Sequence, residues 1–330
     1  MNRRVRLTAG VAQSGPHLDL LKAAGFEILP CNLQAEVYQA DVLIRELAGC
    51  SAVIAGSEPY TSEVLAACPE LRVIARTGVG YDAVDVAACD RAGVAVAVTP
   101  GVNHDSAAEQ TIALLMGVAR GFPEADRMVR AGHWTYVAQP RITGATLGLI
   151  GLGRIGQAVA KRACGLGMKL LAYEPYPVQE FVDQWEVELT SLDELLARAD
   201  YVSLHCPYSQ DSHHLMNAER FARMKRGSVF INTARGLLVD EPALIEALKN
   251  GPLRGAGLDV FEVEPLPLDS GLLDLSNVLL APHLAGADNE SRTGTLTMSA
   301  DTLIQLTAGQ WPEDRIVNLK DHSNWRWERD

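Results

Sequence analysis

Residues 149–156 read LIGLGRIG, and this stretch decides how the rest of the chain is interpreted. Its glycines form a G-x-G-x-x-G pattern between an apolar run that predicts a strand and a helical pattern that begins at Arg154. In such a unit Gly151 allows a tight turn, Gly153 lets the backbone approach a pyrophosphate, and Gly156 allows close helix–strand packing. The helix N-terminus favours phosphate through its free N–H groups and its dipole. The stretch predicts a dinucleotide site, although glycines at this spacing also occur in turns for packing reasons alone.

An acidic residue ends the next predicted strand. Residues 168–173 have a strand pattern, and Glu174 follows 18 positions after Gly156 (174 − 156 = 18). A carboxylate at this place accepts hydrogen bonds from the adenosine ribose hydroxyls and repels a 2′-phosphate. No Lys or Arg follows through Tyr176. We therefore predict NAD rather than NADP, against the alternative of an exposed glutamate with no ligand role.

The composition excludes several classes of partner. The 330 residues are 48% hydrophobic and 21% charged, with a formal net charge of −12. An acidic chain is a poor general partner for nucleic acid or anionic membrane, and no apolar run approaches the roughly 18 residues of a membrane span. The cysteines show no metal-ligand spacing, so we predict no metal site. We predict that they are small buried residues in a reducing compartment, which indicates a cytoplasmic protein. They are Cys31, Cys50, Cys68, Cys89, Cys164 and Cys206.

The chain is organised as two series of alternating strand and helix patterns. Such βα repetition predicts α/β domains with parallel sheets and helices on both faces. In the first series, residues 5–11 predict a strand and residues 82–92 a helix. Thr99-Pro100-Gly101 marks a domain boundary, and the Trp-containing C-terminal tail is expected to return to the first domain. The predicted domains are residues 1–100 with 287–330, and residues 101–286.

One helical pattern, over residues 106–120, is apolar along most of its length. It fits the interface of a homodimer, and it fits equally well a helix buried against the second sheet of its own subunit. Both interpretations stay open at this point.

Four residues with suitable chemistry follow strand patterns of the second domain: Arg235, Asp259, Glu264 and His283. Ligands of open parallel sheets bind beyond the carboxyl ends of the strands. Each residue alone is more simply explained as a surface charge or a structural histidine. Together, in this order and with a nucleotide loop upstream, they indicate a hydride-transfer site.

Several motifs in order carry a resemblance to a known family. The chain resembles the D-isomer-specific 2-hydroxyacid dehydrogenases, which include phosphoglycerate, hydroxypyruvate and D-lactate dehydrogenases, over nearly its whole length. The resemblance implies two doubly wound parallel-sheet domains, a Rossmann NAD-binding domain inserted into a flavodoxin-like substrate domain, and typically a dimer. The motifs are Thr77-Gly-Val-Gly-Tyr-Asp82, the 151–156 loop, Asn232-Thr-Ala-Arg-Gly236, Leu258-Asp-Val-Phe-Glu262 with Glu264-Pro265, and Pro282-His283.

The resemblance also implies the catalytic roles. His283 would be the general acid/base that protonates the developing alkoxide, and histidine suits this because its ordinary pKa lies near neutral pH. Glu264 would orient the imidazole and favour its protonated form. Arg235 would hold the substrate carboxylate and the C2 oxygen, because a guanidinium matches a carboxylate with two parallel hydrogen bonds.

Further contacts follow from the same resemblance. The backbone N–H groups of Gly78, Val79 and Gly80, expected where a strand turns into a helix, would also bind the substrate carboxylate. Asp259 would accept from the nicotinamide carboxamide. The complete set of implied cofactor positions is Gly151, Gly153, Arg154, Ile155, Gly156, Glu174, Pro207, Thr233, Ala234, Asp259, His283 and Gly286.

Two departures narrow the substrate. Formate dehydrogenases of the superfamily carry an amide where Glu264 stands, which argues against formate. In phosphoglycerate dehydrogenases the loop matching residues 55–60 supplies a cation, whereas here it has none and Glu58 adds the opposite charge. We expect a small unphosphorylated 2-oxo acid such as hydroxypyruvate or glyoxylate. Three alternatives remain. The first is a D-3-phosphoglycerate dehydrogenase-like activity, for which Arg76, Arg141 or a neighbouring subunit would supply the cation. The others are an NAD(H)-sensing regulator and an ammonia-dependent amino acid dehydrogenase.

Overall fold

A computed structural model describes residues 2–30, 32, 34–321 and 323–328. The chain divides into two compact units. Unit 1 comprises Met1–Asn103 and Ala287–Asp330, and unit 2 comprises His104–Gly286. The first boundary expected from the sequence, after residue 100, lies three residues before the junction at residues 103 and 104. The second, after residue 286, coincides with the junction between the units.

The first part of unit 1 alternates strands and helices. Its elements are β1 (Arg4–Leu7), α1 (Pro16–Ala23), β2 (Glu27–Leu29), α2 (Ala40–Leu47), β3 (Ala52–Ala55), α3 (Ser62–Ala67), β4 (Val73–Arg76), α4 (Val86–Ala92) and β5 (Ala95–Ala97). Among the described residues these strands form one parallel sheet in the order β2-β1-β3-β4-β5, the flavodoxin-like order. Strand β3 is buried along its whole length, as expected where helices cover both faces of a sheet.

Unit 2 holds the longer series of elements. They are α5 (His104–Ala119), α6 (Phe122–Arg130), β6 (Thr146–Ile150), α7 (Arg154–Gly165), β7 (Lys169–Tyr173), α8 (Gln179–Gln184), β8 (Glu188–Leu189), α9 (Leu192–Arg198), β9 (Tyr201–Leu204), α10 (Ala218–Arg223), β10 (Ser228–Asn232), α11 (Glu241–Lys249), β11 (Leu253–Leu258) and β12 (Val278–Leu280). The described strands pair in the order β12-β11-β10-β9-β6-β7-β8. Six of them reproduce the doubly wound order 3-2-1-4-5-6 of dinucleotide-binding folds, with the switch point between β6 and β9. The predicted α/β fold with two parallel sheets is confirmed.

The chain returns to unit 1 through α12 (Asn289–Thr307) and the tail. Asp288 caps α12 by accepting from the Ser291 N–H at 2.6 Å. In the tail, the Trp327 ring is buried against Phe26 with 5.8 Å between ring centroids, and its indole N–H donates to the Asn2 carbonyl at 2.7 Å. The C-terminal segment therefore completes the core of unit 1.

Several predicted element boundaries are wrong. Strand β1 ends at Leu7 and not at residue 11, because a 3₁₀ turn begins at Gly10 and leaves Val11 half-exposed. Helix α4 begins at Val86, where Asp85 accepts from the Ala88 N–H, so residues 82–85 are not helical. Helices α6, α8 and α9 and strand β8 are absent from the sequence-based prediction.

The apolar helix over residues 106–120 is α5, and the structure explains its apolar pattern within unit 2. Ala108, Leu114, Leu115 and Ala119 are buried in the core that α5 shares with β6 and α7. At Gly117 an added Cβ would lie 2.7 Å from a Leu279 methyl group, so α5 packs closely on β12. Burial within unit 2 therefore accounts for much of the apolar pattern of this helix.

Candidate active site

The glycine loop between β6 and α7 has the shape that the sequence predicts. Gly151 has φ of +100°, and a Cβ there would lie 2.6 Å from the Cys206 backbone nitrogen. A Cβ on Gly156 would lie 2.3 Å from the Gly151 carbonyl oxygen. At Gly153, the residue before α7, an added Cβ would meet no described atom within 4 Å. Two glycines thus permit the fold of the loop, and the third leaves the helix N-terminus open to a ligand.

Glu174 joins the end of β7 to this loop. Its carboxylate accepts from the backbone N–H groups of Leu152 at 2.8 Å and of Tyr176 at 2.9 Å. Each carboxylate oxygen can accept a second hydrogen bond. The residue therefore positions the glycine loop and keeps the capacity to accept from hydroxyl groups.

His283 and Glu264 form a short charged pair. The distance between His283 Nδ1 and Glu264 Oε2 is 2.6 Å, and the two side chains are 45% and 34% exposed. Burial opposes ionisation of Glu264, but the hydrogen bond and charge of His283, the Phe261 N–H and the charge of Arg235 lower the pKa of its carboxyl below the ordinary 4.5. An ionised carboxylate can only accept, so Nδ1 carries the proton and Nε2 is left to exchange a proton with a ligand.

The loop that carries His283 is held by Asp259. His283 has φ of +53°, an uncommon backbone conformation, and its N–H donates to the Asp259 carbonyl at 2.8 Å. The buried Asp259 carboxylate accepts from Leu284 N–H at 3.0 Å and Ala285 N–H at 2.8 Å. Burial raises the pKa of this carboxyl. Asp259 thus fixes the imidazole loop, and its nicotinamide contact stays a prediction.

Arg235 lies in a tight turn after β10. The Asn232 side chain spans this turn, donating to the Arg235 carbonyl at 2.8 Å and accepting from the Ala234 N–H at 3.0 Å. A Cβ on Gly236 would lie 1.8 Å from the Phe261 carbonyl oxygen, so the turn packs directly on the segment leading to Glu264. Roles for Asn232 and Gly236 were not predicted, although both belong to the Asn232-Thr-Ala-Arg-Gly236 motif that could have indicated them.

In unit 1, residues 78–80 form a loop beyond the end of β4. The Gly80 carbonyl accepts from Arg76 Nε at 3.1 Å, and the Gly78 carbonyl accepts from the Thr99 N–H at 3.0 Å. No hydrogen bond within the described part of the chain occupies the N–H groups of Gly78, Val79 and Gly80. Because α4 begins only at Val86, these are loop amides rather than a helix N-terminus.

Comparison with known proteins identifies the family. Residues 112–285 match the family "D-isomer specific 2-hydroxyacid dehydrogenase, NAD binding domain". A glyoxylate reductase of Korarchaeum cryptofilum is 43% identical over 83% of this chain and 85% of its own length. The chain belongs to the D-isomer-specific 2-hydroxyacid dehydrogenase family. It is accordingly an NAD-dependent oxidoreductase that interconverts 2-hydroxy and 2-oxo acids, as the motifs predicted.

Other family members resemble the chain to different extents. The D-3-phosphoglycerate dehydrogenase of Mycobacterium leprae is 41% identical over 86% of this chain, but the match spans only 52% of that protein. The crystal structure of D-lactate dehydrogenase from Aquifex aeolicus complexed with NAD and lactic acid superposes with a TM-score of 0.84 at 28% identity, covering 95% of this chain and 98% of that one.

The remaining residues predicted to bind the cofactor also lie in unit 2. Arg154 and Ile155 begin α7, and Pro207 is exposed after β9. Thr233 is buried, and its hydroxyl lies 2.7 Å from that of Thr111 on α5. Ala234 and Gly286 are half-buried, in the Arg235 turn and at the end of unit 2.

Two negative findings apply to the described residues. No group of three or more His, Cys, Asp or Glu side chains in that part of the chain could hold a metal ion. No helix there is long and apolar enough to cross a membrane.

Proposed function

We propose that the dehydrogenase reduces small unphosphorylated 2-oxo acids, of the glyoxylate or hydroxypyruvate type, to the D-2-hydroxy acids. The observation that carries this proposal is the 2.6 Å pair of His283 and Glu264 in the NAD-binding unit. It supplies the proton donor that carbonyl reduction requires, with a carboxylate to stabilise the protonated form.

His283 is the general acid in the reductive direction. Its Nδ1–H is held by Glu264, so Nε2–H donates to the C2 oxygen and takes the proton back when the hydroxy acid is oxidised. Glu264 stays ionised throughout, because its lowered pKa disfavours proton transfer from the imidazole. Arg235 pairs with the substrate carboxylate. Substrate binding by the backbone amides of Gly78, Val79 and Gly80 in unit 1 stays a prediction from the sequence.

The residues around the glycine loop fit NAD. The space over Gly153 and the start of α7 suits a pyrophosphate, and Glu174 suits the ribose hydroxyls of a cofactor without a 2′-phosphate. When bound, NAD supplies or accepts the hydride at C2. Asp259, Pro207, Thr233, Ala234 and Gly286 are the positions proposed to surround its nicotinamide half.

The charges of unit 1 support a substrate without phosphate. Residues 55–60 contain no Lys or Arg, and Glu58 is buried there. Arg76, a candidate cation for a phosphate, donates instead to the Gly80 carbonyl and lies within electrostatic reach of Glu58. The loop of residues 55–60 therefore supplies no cation for a phosphate.

We further propose a homodimer, on a surface other than the one the sequence suggested. Helix α6 has no buried residue, and both the helix and the segment that follows it carry exposed apolar side chains. Monomeric proteins rarely expose such a patch. The exposed residues are Phe122, Val129, Trp134, Tyr136 and Val137, of which Trp134 is 92% and Tyr136 is 91% exposed.

We also propose a cytoplasmic location, because the described cysteines are free and free thiols persist in reducing compartments. Cys50, Cys68 and Cys89 are buried as predicted, Cys206 is half-buried, and Cys164 is exposed, contrary to the prediction. Cys31 lies outside the described residues.

The proposal is tested by NADH oxidation with a panel of 2-oxo acids and their phosphorylated counterparts. We expect turnover of glyoxylate or hydroxypyruvate above that of 3-phosphohydroxypyruvate. His283→Ala should lower kcat by about 10²- to 10⁴-fold while NADH affinity, measured by fluorescence titration, is kept. Turnover with none of the acids would favour the NAD(H)-sensing alternative, and full activity of His283→Ala would remove His283 from the chemistry.

A further inference from the structure

A second histidine–glutamate pair shares a loop with the first. His214 Nε2 lies 2.8 Å from Glu262 Oε1, and Glu262 is two residues before Glu264. Glu262 is 25% exposed and His214 is 36% exposed. One short segment after β11 therefore presents one carboxylate to His283 and another to His214.

Glu262 is also joined to the first residue of α11 by reciprocal hydrogen bonds. The Glu262 N–H donates to Glu241 Oε1 at 2.6 Å, and the Glu241 N–H donates to Glu262 Oε1 at 3.2 Å. Asp240 caps the same helix by accepting from the Ala243 N–H at 3.0 Å. The segment is thus fastened to a helix start whose own position is fixed.

His214 connects the pair to the turn that follows Arg235. Its backbone N–H donates to the Leu237 carbonyl at 2.9 Å, and His213 stacks on its ring at 3.9 Å between centroids. Gly236, beside Arg235, packs on the Phe261–Glu262 peptide so closely that a Cβ would lie 2.5 Å from the Glu262 nitrogen. Displacing Glu262 would therefore disturb the supports of both Arg235 and Glu264.

We infer that Glu262, held by His214 and Glu241, is a positioning residue for the Glu264–His283 pair and for Arg235. This rests on the proposed catalytic role of that pair. The Phe261 N–H donates to Glu264 Oε1 at 3.0 Å, so the peptide next to Glu262 also sets the direction of the Glu264 carboxylate. Small errors in such geometry are costly, because a displacement of about 1 Å can reduce a rate by about 100-fold.

The test compares Glu262→Ala and Glu262→Gln with the control Glu246→Ala, an exposed position on α11, using the 2-oxo acid that the wild-type chain reduces best. Glu262→Ala should lower kcat by about 10- to 100-fold and raise the KM for the 2-oxo acid, because Arg235 loses part of its support, while the KM for NADH stays within about twofold. Glu262→Gln keeps the size of the side chain and an oxygen that accepts from the Glu241 N–H, so it should retain most of the activity. Glu246→Ala should match the wild type.

The outcomes separate this inference from the proposed function. If Glu262→Ala keeps the wild-type kcat while His283→Ala is inactive, the inference is overturned and the proposed function stands. The same holds if Glu262→Gln is as slow as Glu262→Ala. An active His283→Ala overturns the proposed function. If Glu262→Ala does not fold, His214→Asn decides, because asparagine tolerates the φ of +48° at this position. We expect it to lower kcat several-fold at an unchanged KM for NADH, and an unchanged kcat contradicts the inference.

Discussion

His283 and Glu264 show how one hydrogen bond determines what a histidine can do. An isolated imidazole carries its proton on either nitrogen, whereas an ionised carboxylate 2.6 Å from Nδ1 selects one tautomer and leaves Nε2 toward the ligand. The carboxylate also balances the charge that appears when the imidazole is protonated. Orientation and electrostatic support therefore come from the same contact.

Replacing Glu264 by Gln tests both contributions. The folded-state pKa of Glu264 is below its ordinary 4.5, so the ionised pair stabilises the fold above that pH, and this contribution is lost as the pH falls through the lowered value. The amide of Glu264→Gln still accepts from Nδ1 but provides no charge. We expect reductive kcat to fall, because a neutral amide provides no charge to stabilise the protonated imidazole, and to fall most at alkaline pH.

The measurement is the pH dependence of kcat for 2-oxo acid reduction, with Glu246→Gln as a matched change of charge on an exposed surface. A Glu264→Gln profile that overlays that of the wild type would mean that the carboxylate charge does not support the protonated imidazole.

At the level of elements, the phosphate site depends on the junction of β6, β7 and α7. Glu174 accepts from the Leu152 N–H inside the glycine loop, so the residue proposed to bind ribose also fixes the loop proposed to bind phosphate. Sequence spacing indicated the first role. The second could not be foreseen, because it depends on the lateral pairing of β6 with β7.

Glu174→Ala should therefore have two effects on cofactor binding. Affinity for NADH should fall because the ribose acceptor and the loop anchor are both lost. The ratio of NADPH to NADH affinity should rise by about tenfold or more, since the repulsion of a 2′-phosphate is removed. Glu180→Ala, on the exposed start of α8, is the control. An unchanged ratio, measured by fluorescence titration with both cofactors, would contradict the discriminating role.

Considering the whole molecule, the apolar surface of unit 2 lies on α6 and the segment after it. One face of α5, the helix whose pattern fitted an interface, is buried in its own unit, while Trp134 and Tyr136 are almost fully exposed. Periodicity along one helix does not reveal which element covers its apolar face, so the sequence left both interpretations open.

A charge at Trp134 tests the homodimer. We expect the wild type to sediment as a dimer and Trp134→Asp as a monomer, or with a dissociation constant raised by about 100-fold or more. Leu268→Asp is the matched control, because Leu268 is 96% exposed in a different loop. Monomeric wild-type protein in analytical ultracentrifugation would refute the proposal.

Much of the chain was predictable because local chemistry determined it. The glycine spacing at 151–156 and the acidic Glu174 need only their neighbours in sequence to be recognised. Arg235 and His283 became recognisable together, in their order along the chain and through the family resemblance. The βα repetition determined the fold class in the same way, because its periodicity is set by local burial. These signals also sufficed to indicate NAD and hydride transfer.

Tertiary structure decided which groups meet. Glu264 and His283 are separated by 19 residues, and Glu262 lies beside Glu241 and His214 from two other segments. Asp259 likewise serves the backbone of the His283 loop, 25 and 26 residues away. Hydrogen bonds require distances near 3 Å and defined angles, and between distant segments such geometry depends on strand register and loop packing.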